Sequence, residues 1–367
     1  SDPMQSSRAP IDMTRSDRKG SGKPPAVWVV AGYRAGERTQ LLALAEALQW
    51  PFEVKRLKYR SYDFVPGLWR VPSLAGIDKD ASTPLRPPWP EIVISAGMRN
   101  EPICRWIKAR SGGQAKLVHI GRPWADCANF DLVVTTPQYR LPKRDNVQQN
   151  LGTLHRVTEA SLASAAKTWS HAFDHLPEPR IGLILGGNSG PYTLGPNAGR
   201  ALGSLASATA GRNGGSLLIS SSARTSCAAT DALISAVDCP HFIYRWSADE
   251  ESNPYLGILA LSDSFIVTSD SVSMLSECCA TGKAVLMFDL EGGQTHTTDF
   301  RAGANLYRLL MRAGPRRLTR DLTLFHQSLL ESGQAAWITD GRSGRTADSG
   351  PDDVAAAVTR VRALVTE

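Results

Sequence analysis

The residues of this chain best suited to chemistry lie between Phe265 and Leu290, in FIVTSDSVSMLSECCATGKAVLMFDL. An apolar run leads into Asp270-Ser271, a helical pattern carries Ser273 and Glu277, and a second apolar run follows Gly282. A helix entered directly from a buried strand presents free backbone N–H groups and the positive end of its dipole at the carboxyl edge of a sheet. Open α/β sheets bind phosphorylated ligands there. Glu277 falls one helical turn beyond Ser273 on the same face, within reach of sugar hydroxyls if a diphosphate rests on the turn. The same residues also suit a plain buried βαβ unit with serine as N-cap. This segment alone leaves both readings open.

Two further stretches carry similar groups. LILGGNSG, ending at Gly190, is a strand pattern followed by a glycine-rich turn that brings backbone close to a ligand and can cradle an anion. It matches neither the dinucleotide fingerprint G-x-G-x-x-G nor the P-loop, so a nicotinamide enzyme and a kinase-like NTPase are set aside. A tight structural turn is the other reading. Ser220–Thr225 offers hydroxyls and Arg224, a side chain suited to bidentate phosphate contact. Tyr244-Arg245-Trp246 would flank a base, or form a surface aromatic cluster.

In the first half the polar residues at strand ends are Arg34, Glu37, Gln40, Arg99, Asn100, Glu101, His119 and Arg122. A general base for an acceptor hydroxyl would come from this set, with Glu37, Glu101 and His119 as candidates. Glu37 and Glu101 also suit the first turn of a helix, and His119 suits a core histidine. A metal site is not expected: Asp78-Lys79-Asp80 sits in a proline-rich insertion rather than at a sheet edge. No G-x-S-x-G elbow is present.

The elements that must position these residues repeat one grammar: strand, glycine turn, helix, strand. Strand patterns cover 26–31, 91–96, 116–120 and 132–135 in the first half, and 180–185, 216–220, 242–244 and the runs flanking Ser271 in the second. Helical patterns follow Gly36 and cover 101–110, 159–175, 197–210, 230–237, 255–261 and 352–366. Such alternation predicts parallel sheets covered on both faces. The expected organisation is a tail over 1–25, an N-terminal unit over 26–175, a C-terminal unit over 176–345 and a terminal helix over 346–367. Between them, 55–90 mixes basic, aromatic and proline residues and reads as a surface insertion, or as a patch touching lipid headgroups.

With 367 residues, 42% hydrophobic and 21% charged, the composition is that of a globular chain of two domains. The net charge of +6 is mild and dispersed; it suits anionic ligands or an anionic membrane surface, and no nucleic-acid motif accompanies it. No apolar run approaches the ~18–20 residues of a membrane span. The opening residues lack the apolar core of a secretory signal; Ser1-Asp2-Pro3 before Met4 reads as a cloning remnant and the rest of the tail as disordered. The six cysteines form no C-x-x-C and read as reduced thiols in a cytoplasmic protein.

The ordered run of GYRAGERTQLLALAEAL, VISAGMRNEPICRWI, VHIGRPW, FDLVVTTPQYRL, NVQQNLGTLHRV, ILGGNSG, SSSARTS, NPYLGILALSD and SDSVSMLSECCATGKAV resembles the plant mitochondrial fission ("elongated mitochondria") family and its bacterial relatives. The resemblance spans about Ala26 to Leu290 and implies an α/β fold of two facing Rossmann-like domains with parallel sheets, like the GT-B glycosyltransferases. Those enzymes hold a nucleotide-sugar mainly on the C-terminal domain and usually need no metal. By that analogy Gly187, Asn188 and Ser189 would face the donor phosphates, with Ser222 and Arg224 nearby. Arg245 and Trp246 would lie near the base, Asp270, Ser271, Val272 and Ser273 would cap the diphosphate, Glu277 would bind ribose, and Gln294 would lie near the donor sugar. The turns carrying Gly36, Gln40, Arg99 and Arg122 would line the opposite, acceptor wall. Ala223 and Met98 stand where the family pattern would carry arginine.

The function implied is transfer of a sugar from a nucleotide-diphosphate donor to an envelope glycan or lipid-linked saccharide, with no resident cofactor, in the cytoplasm or peripheral to the inner membrane. An epimerase or hydrolase of sugar nucleotides, and a non-catalytic adaptor with a vestigial cleft, are the alternatives.

Overall fold

The structure is a computed structural model and describes residues 22–31, 34–60, 71–291, 298–341 and 352–366. Within these, the first half forms strands β1 (Val27–Ala31), β2 (Phe52–Arg56), β3 (Ile92–Ala96), β4 (Lys116–Ile120), β5 (Leu132–Thr135) and β6 (Val147–Gln149). They make one parallel sheet in the order β2-β1-β3-β4-β5-β6. The helices here are α1 (Ala35–Ala47) and α2 (Glu101–Arg110). After α3 (Glu159–Phe173) the second half forms β7 (Arg180–Ile184), α4 (Pro196–Gly211), β8 (Ser216–Ser220), α5 (Cys227–Ser235), β9 (His241–Tyr244), α6 (Tyr255–Leu261), β10 (Ser264–Thr268), α7 (Val272–Ala280), β11 (Ala284–Phe288), α8 (Ala302–Ala313), α9 (Leu322–Glu331) and β12 (Ala336–Trp337). The second sheet is also parallel, in the order β12-β11-β10-β7-β8-β9. The α/β class with two Rossmann-like parallel sheets is therefore as the sequence implied.

The central strands are nearly continuous apolar runs because both faces are covered. Every residue of β1, β3 and β8 is buried. On one face of the first sheet Val29, Leu44, Ile94 and Val134 pack with Ala357 and Val361 of the last helix, α10 (Asp353–Thr366). The chain thus ends by returning to its first half, where the Arg362 guanidinium donates to the Leu48 carbonyl at 3.0 Å.

The boundary expected at residue 175 moves toward the N-terminus. Phe173 and Leu176 are buried in the second core with Leu183, Leu217 and Phe265, and Trp169 packs against it. An added Cβ at Gly257 of α6 would stand 2.5 Å from the Trp169 ring. Helix α3 therefore belongs to the second half by packing.

The insertion after α1 also differs from expectation. β2 occupies its start, and its alternation turns Lys55 inward. The Lys55 ammonium lies 4.3 Å from the Trp28 ring centroid and donates to Glu53 and the Pro84 carbonyl. Buried so, it is unavailable to headgroups. Residues 61–70 of the same stretch lie outside the described residues.

Candidate functional site

In each sheet the chain leaves a central strand in one direction and later returns to build the other side. The crevice of such a reversal is where α/β sheets place ligands. In the second sheet it falls between β7 and β10. The glycine turn follows β7 and the α7 N-terminus follows β10, so the two sequence motifs meet at one edge.

Asp270 ties them together. Its Oδ2 accepts the Gly187 N–H at 3.0 Å and pairs with Arg224 Nη1 at 2.9 Å. The neighbouring Gly186 N–H donates to Thr268 Oγ1 at 2.9 Å. The Gly186 carbonyl accepts Ser222 Oγ at 2.8 Å and Thr225 Oγ1 at 2.5 Å. Three strand ends, after β7, β8 and β10, are thus knitted into one unit. The glycines are required by close approach rather than by unusual dihedrals. A Cβ at Gly186 would fall 2.2 Å from Asp270 Oδ2, and one at Gly187 would fall 2.1 Å from the Arg224 carbonyl oxygen. In this turn only Gly190, at φ +54°, uses the left-handed region.

The expected ligand-facing residues divide accordingly. Asp270 is 1% exposed and occupied by protein partners, so its carboxylate organises the turn instead of capping a phosphate. Its Oδ1, also buried, has no hydrogen-bond partner among the described residues. Ser271 is the N-cap of α7 and its Oγ accepts the Met274 N–H at 3.4 Å. Val272 is buried, whereas Ser273 is half-buried. The N–H groups of Val272 and Ser273 have no acceptor within the helix, as for any first turn. Asn188 uses its Oδ1 to accept the Leu194 N–H at 2.9 Å, shaping the loop. Ser189 Oγ accepts from Arg320 at 3.2 Å. Arg224 is exposed, with its guanidinium between Asp270 and the Asn188 carbonyl at 3.5 Å.

Glu277 sits half-buried on α7, and the Tyr255 hydroxyl donates to it at 3.4 Å. Burial pushes its carboxyl up to about 7, against that hydrogen bond. Arg245 and Trp246 are exposed at the end of β9; Arg245 pairs with Asp231 at 2.5 Å. Gln294 lies outside the described residues.

Sequence reasoning missed the supports behind the glycine turn. Asp299 accepts the N–H groups of Asn197 and Ala198 at 3.1 and 3.0 Å, capping α4. The Arg301 guanidinium donates to the carbonyls of Gly190 and Tyr192 at 2.5 and 2.9 Å. These contacts span about a hundred residues, and no local pattern announces them.

In the first half, the candidate bases separate sharply. Glu101 has no exposure; its two oxygens accept the N–H groups of Trp124 and Ala125, fastening the loop after β4 to the start of α2. Burial pushes its carboxyl up to about 7 against those bonds. It is a structural residue, as its first-turn position allowed. His119 is likewise fully buried, 3.4 Å from Ser95 Oγ and against the Phe130 ring, and burial lowers it to about 4. A sealed, neutral imidazole does not serve an acceptor. Glu37 differs: its side chain is 28% exposed and paired with Arg34 at 3.6 Å. Burial raises its carboxyl, with the charge of Arg34 opposing. A Cβ at Gly97 would come 3.0 Å from Glu37 Oε2, so the carboxylate lies on the turn after β3, at the reversal point of the first sheet.

Gly36 lies inside the first turn of α1 rather than before it, and Gln40 follows half-buried. Arg99 stands 5.6 Å from the Tyr59 ring. Arg122 bridges the halves: its Nη1 donates to the Tyr139 carbonyl at 2.8 Å and to that of Arg316 at 3.1 Å. The Thr153 N–H donates to Ser276 Oγ of α7 at 3.0 Å, a second link between the halves.

Comparison with known proteins gives the following. Residues 35–313 match the family model described as Mitochondrial fission ELM1. The mitochondrial fission protein ELM1 of Arabidopsis thaliana is 31% identical over 219 residues, covering 53% of this chain and 51% of the plant protein. The chain thus matches about half the length of that relative. A protein of Rickettsia prowazekii (strain Madrid E) is 23% identical over 298 residues, 71% of this chain and 82% of the rickettsial one. Among solved structures, a UDP-GlcNAc 2-epimerase from Neisseria meningitidis bound to UDP-GlcNAc aligns over 93% of this chain and 100% of its own, at 14% identity and a TM-score of 0.48. The ordered motifs, the paired parallel sheets and the family match agree: this chain belongs to the mitochondrial fission ELM1 family.

Proposed function

We propose that the second half binds a nucleoside-diphosphate sugar and that the protein transfers the sugar to a glycan or lipid-linked acceptor. The observation that supports this best is the union of the glycine turn, Arg224 and the α7 N-terminus through Asp270. That unit offers a guanidinium and free first-turn N–H groups at one point, which is what a diphosphate needs. In this reading Glu277, a turn further along α7, binds the ribose hydroxyls. As the sugar bond breaks, negative charge grows on the departing diphosphate, and fixed N–H groups with Arg224 stabilise it without reorganisation. No step requires a metal ion or cofactor. Glu37, its carboxyl raised by burial against the charge of Arg34, is the proposed base for the acceptor hydroxyl. The proposed setting is the cytoplasm, peripheral to a membrane.

A thermal-shift series with uridine, guanosine, cytidine and adenosine diphosphates in chelator tests the binding step. Linkage gives about 2.7 kcal/mol of stabilisation at a hundredfold excess over Kd. No response to any of them at millimolar concentration removes the reading. A second reading, a binding protein without turnover, is favoured by the sealing of Glu101 and His119 in the fold. It predicts a nucleotide response with no release of sugar or diphosphate, and none gained or lost in Glu37→Gln.

A further inference from the structure

Helix α8 is turned inside out. Amphipathic helices of globular proteins bury their apolar stripe. In α8 the stripe Ala302, Leu306, Leu309 and Ala313 is exposed, with Leu306 59% and Leu309 60% open. The opposite face, carrying Ala304, Tyr307 and Arg308, packs inward. Phe300, just before the helix, is 85% exposed, the highest value among the large exposed apolar residues described. Leu318 and Leu324, just beyond it, are open as well.

The exposed charge at the end of α8 and in the turn after it is positive, while Arg308 on the inward face lies 3.5 Å from Glu291. Six arginines and no carboxylate lie between Phe300 and Arg320. Arg312 and Arg316 are exposed. A helix with leucines outward and arginines at its rim has the composition that seats in the plane of an anionic bilayer, apolar side chains among acyl chains and guanidinium groups at the phosphates. Among the described residues no helix is long and apolar enough to cross a membrane, so the attachment is to the surface.

From this arrangement we propose that α8, with Phe300 before it and Arg316 after it, is a membrane-docking face specific for anionic phospholipid. The helix also leans on the glycine turn. Arg308 donates to the Pro191 carbonyl at 3.1 Å, and the Tyr307 ring would stand 3.2 Å from a Cβ at Gly190. Docking therefore brings the second-half site next to the lipid surface. The proposal does not depend on what that site binds.

The test is sedimentation of the full chain with vesicles of phosphatidylglycerol and phosphatidylcholine, against vesicles of phosphatidylcholine alone. Leu306→Gln/Leu309→Gln is expected to weaken binding to the anionic vesicles at least tenfold. Arg312→Gln/Arg316→Gln is expected to weaken it about thirtyfold at low salt, and to flatten its salt dependence. Both pairs are exposed, so the melting temperature should hold. Wild type that ignores anionic vesicles, or binds them as well after either double substitution, overturns the proposal. So does a wild type that is dimeric in solution and becomes monomeric in Leu306→Gln/Leu309→Gln without any vesicle binding, since the face would then cover a second copy.

Discussion

Arg224 and Asp270 form an ion pair of unequal exposure: the arginine side chain is 40% open and the aspartate side chain 0%, with 2.9 Å between Nη1 and Oδ2. The open partner can turn to a ligand, while the sealed one holds the Gly187 N–H. Arg224→Ala should cost about 1–2 kcal/mol, discounted from a fully buried pair because water screens the arginine. It should also abolish the nucleotide response. Asp270→Asn should cost about 1–3 kcal/mol through the turn it organises. Chemical denaturation of both single variants and the double checks this; strictly additive losses would mean that the pair does not couple.

The glycine turn makes a contrast available. Gly187→Ala must displace backbone of the Arg224 segment, and about 1–3 kcal/mol of destabilisation is expected. Gly211→Ala, at the end of α4 with open space around it, should be neutral or stabilising by up to ~1 kcal/mol. Equal melting temperatures for the two variants would contradict the packing described.

Glu277 separates binding from folding. Its carboxyl is half-buried and, among the described residues, accepts from the Tyr255 hydroxyl at 3.4 Å. Glu277→Gln should leave the free protein within about 1 kcal/mol of wild type and lower nucleoside-diphosphate affinity by tenfold or more, read by calorimetry. Unchanged affinity would take Glu277 out of the site.

His119 supplies a pH signature. Its folded value near 4 lies below the ordinary 6.5, so between these two pH values the unfolded chain binds more protons than the folded one. Stability is full above about 6.5 and falls as pH drops toward 4, by up to about 3 kcal/mol from this group. His119→Phe should flatten that limb of the stability profile. An unaltered slope would show that other groups dominate it.

Much of the architecture is legible in the chain. Val27–Ala31, Ile92–Ala96 and Ser216–Ser220 are continuous apolar runs ended by glycine or serine, and only a strand covered on both faces needs such a run. The same rule locates Ser271 at a helix start, because serine after an apolar strand satisfies a first-turn N–H. β2 escaped notice because Lys55 occupies an inward position, where Trp28 and the Pro84 carbonyl receive its ammonium. α8 carries a helical apolar spacing through Leu306, Leu309, Leu310 and Ala313 that the sequence does show; what the sequence cannot give is that this stripe faces outward.

What the sequence determined is which groups stand at strand ends, since a strand end is a local event set by turn and cap residues. Tertiary structure decided what each group does there. Glu37, Glu101 and His119 are equivalent as strand-end residues, yet packing sealed two of them and left the third at the Gly97 turn. Asp270, Arg224 and Gly187 meet across three strands far apart in the chain, and only closure of the sheet brings their charges within hydrogen-bond range. Burial and charge pairing are long-range quantities, so local pattern can nominate a residue but cannot assign its role.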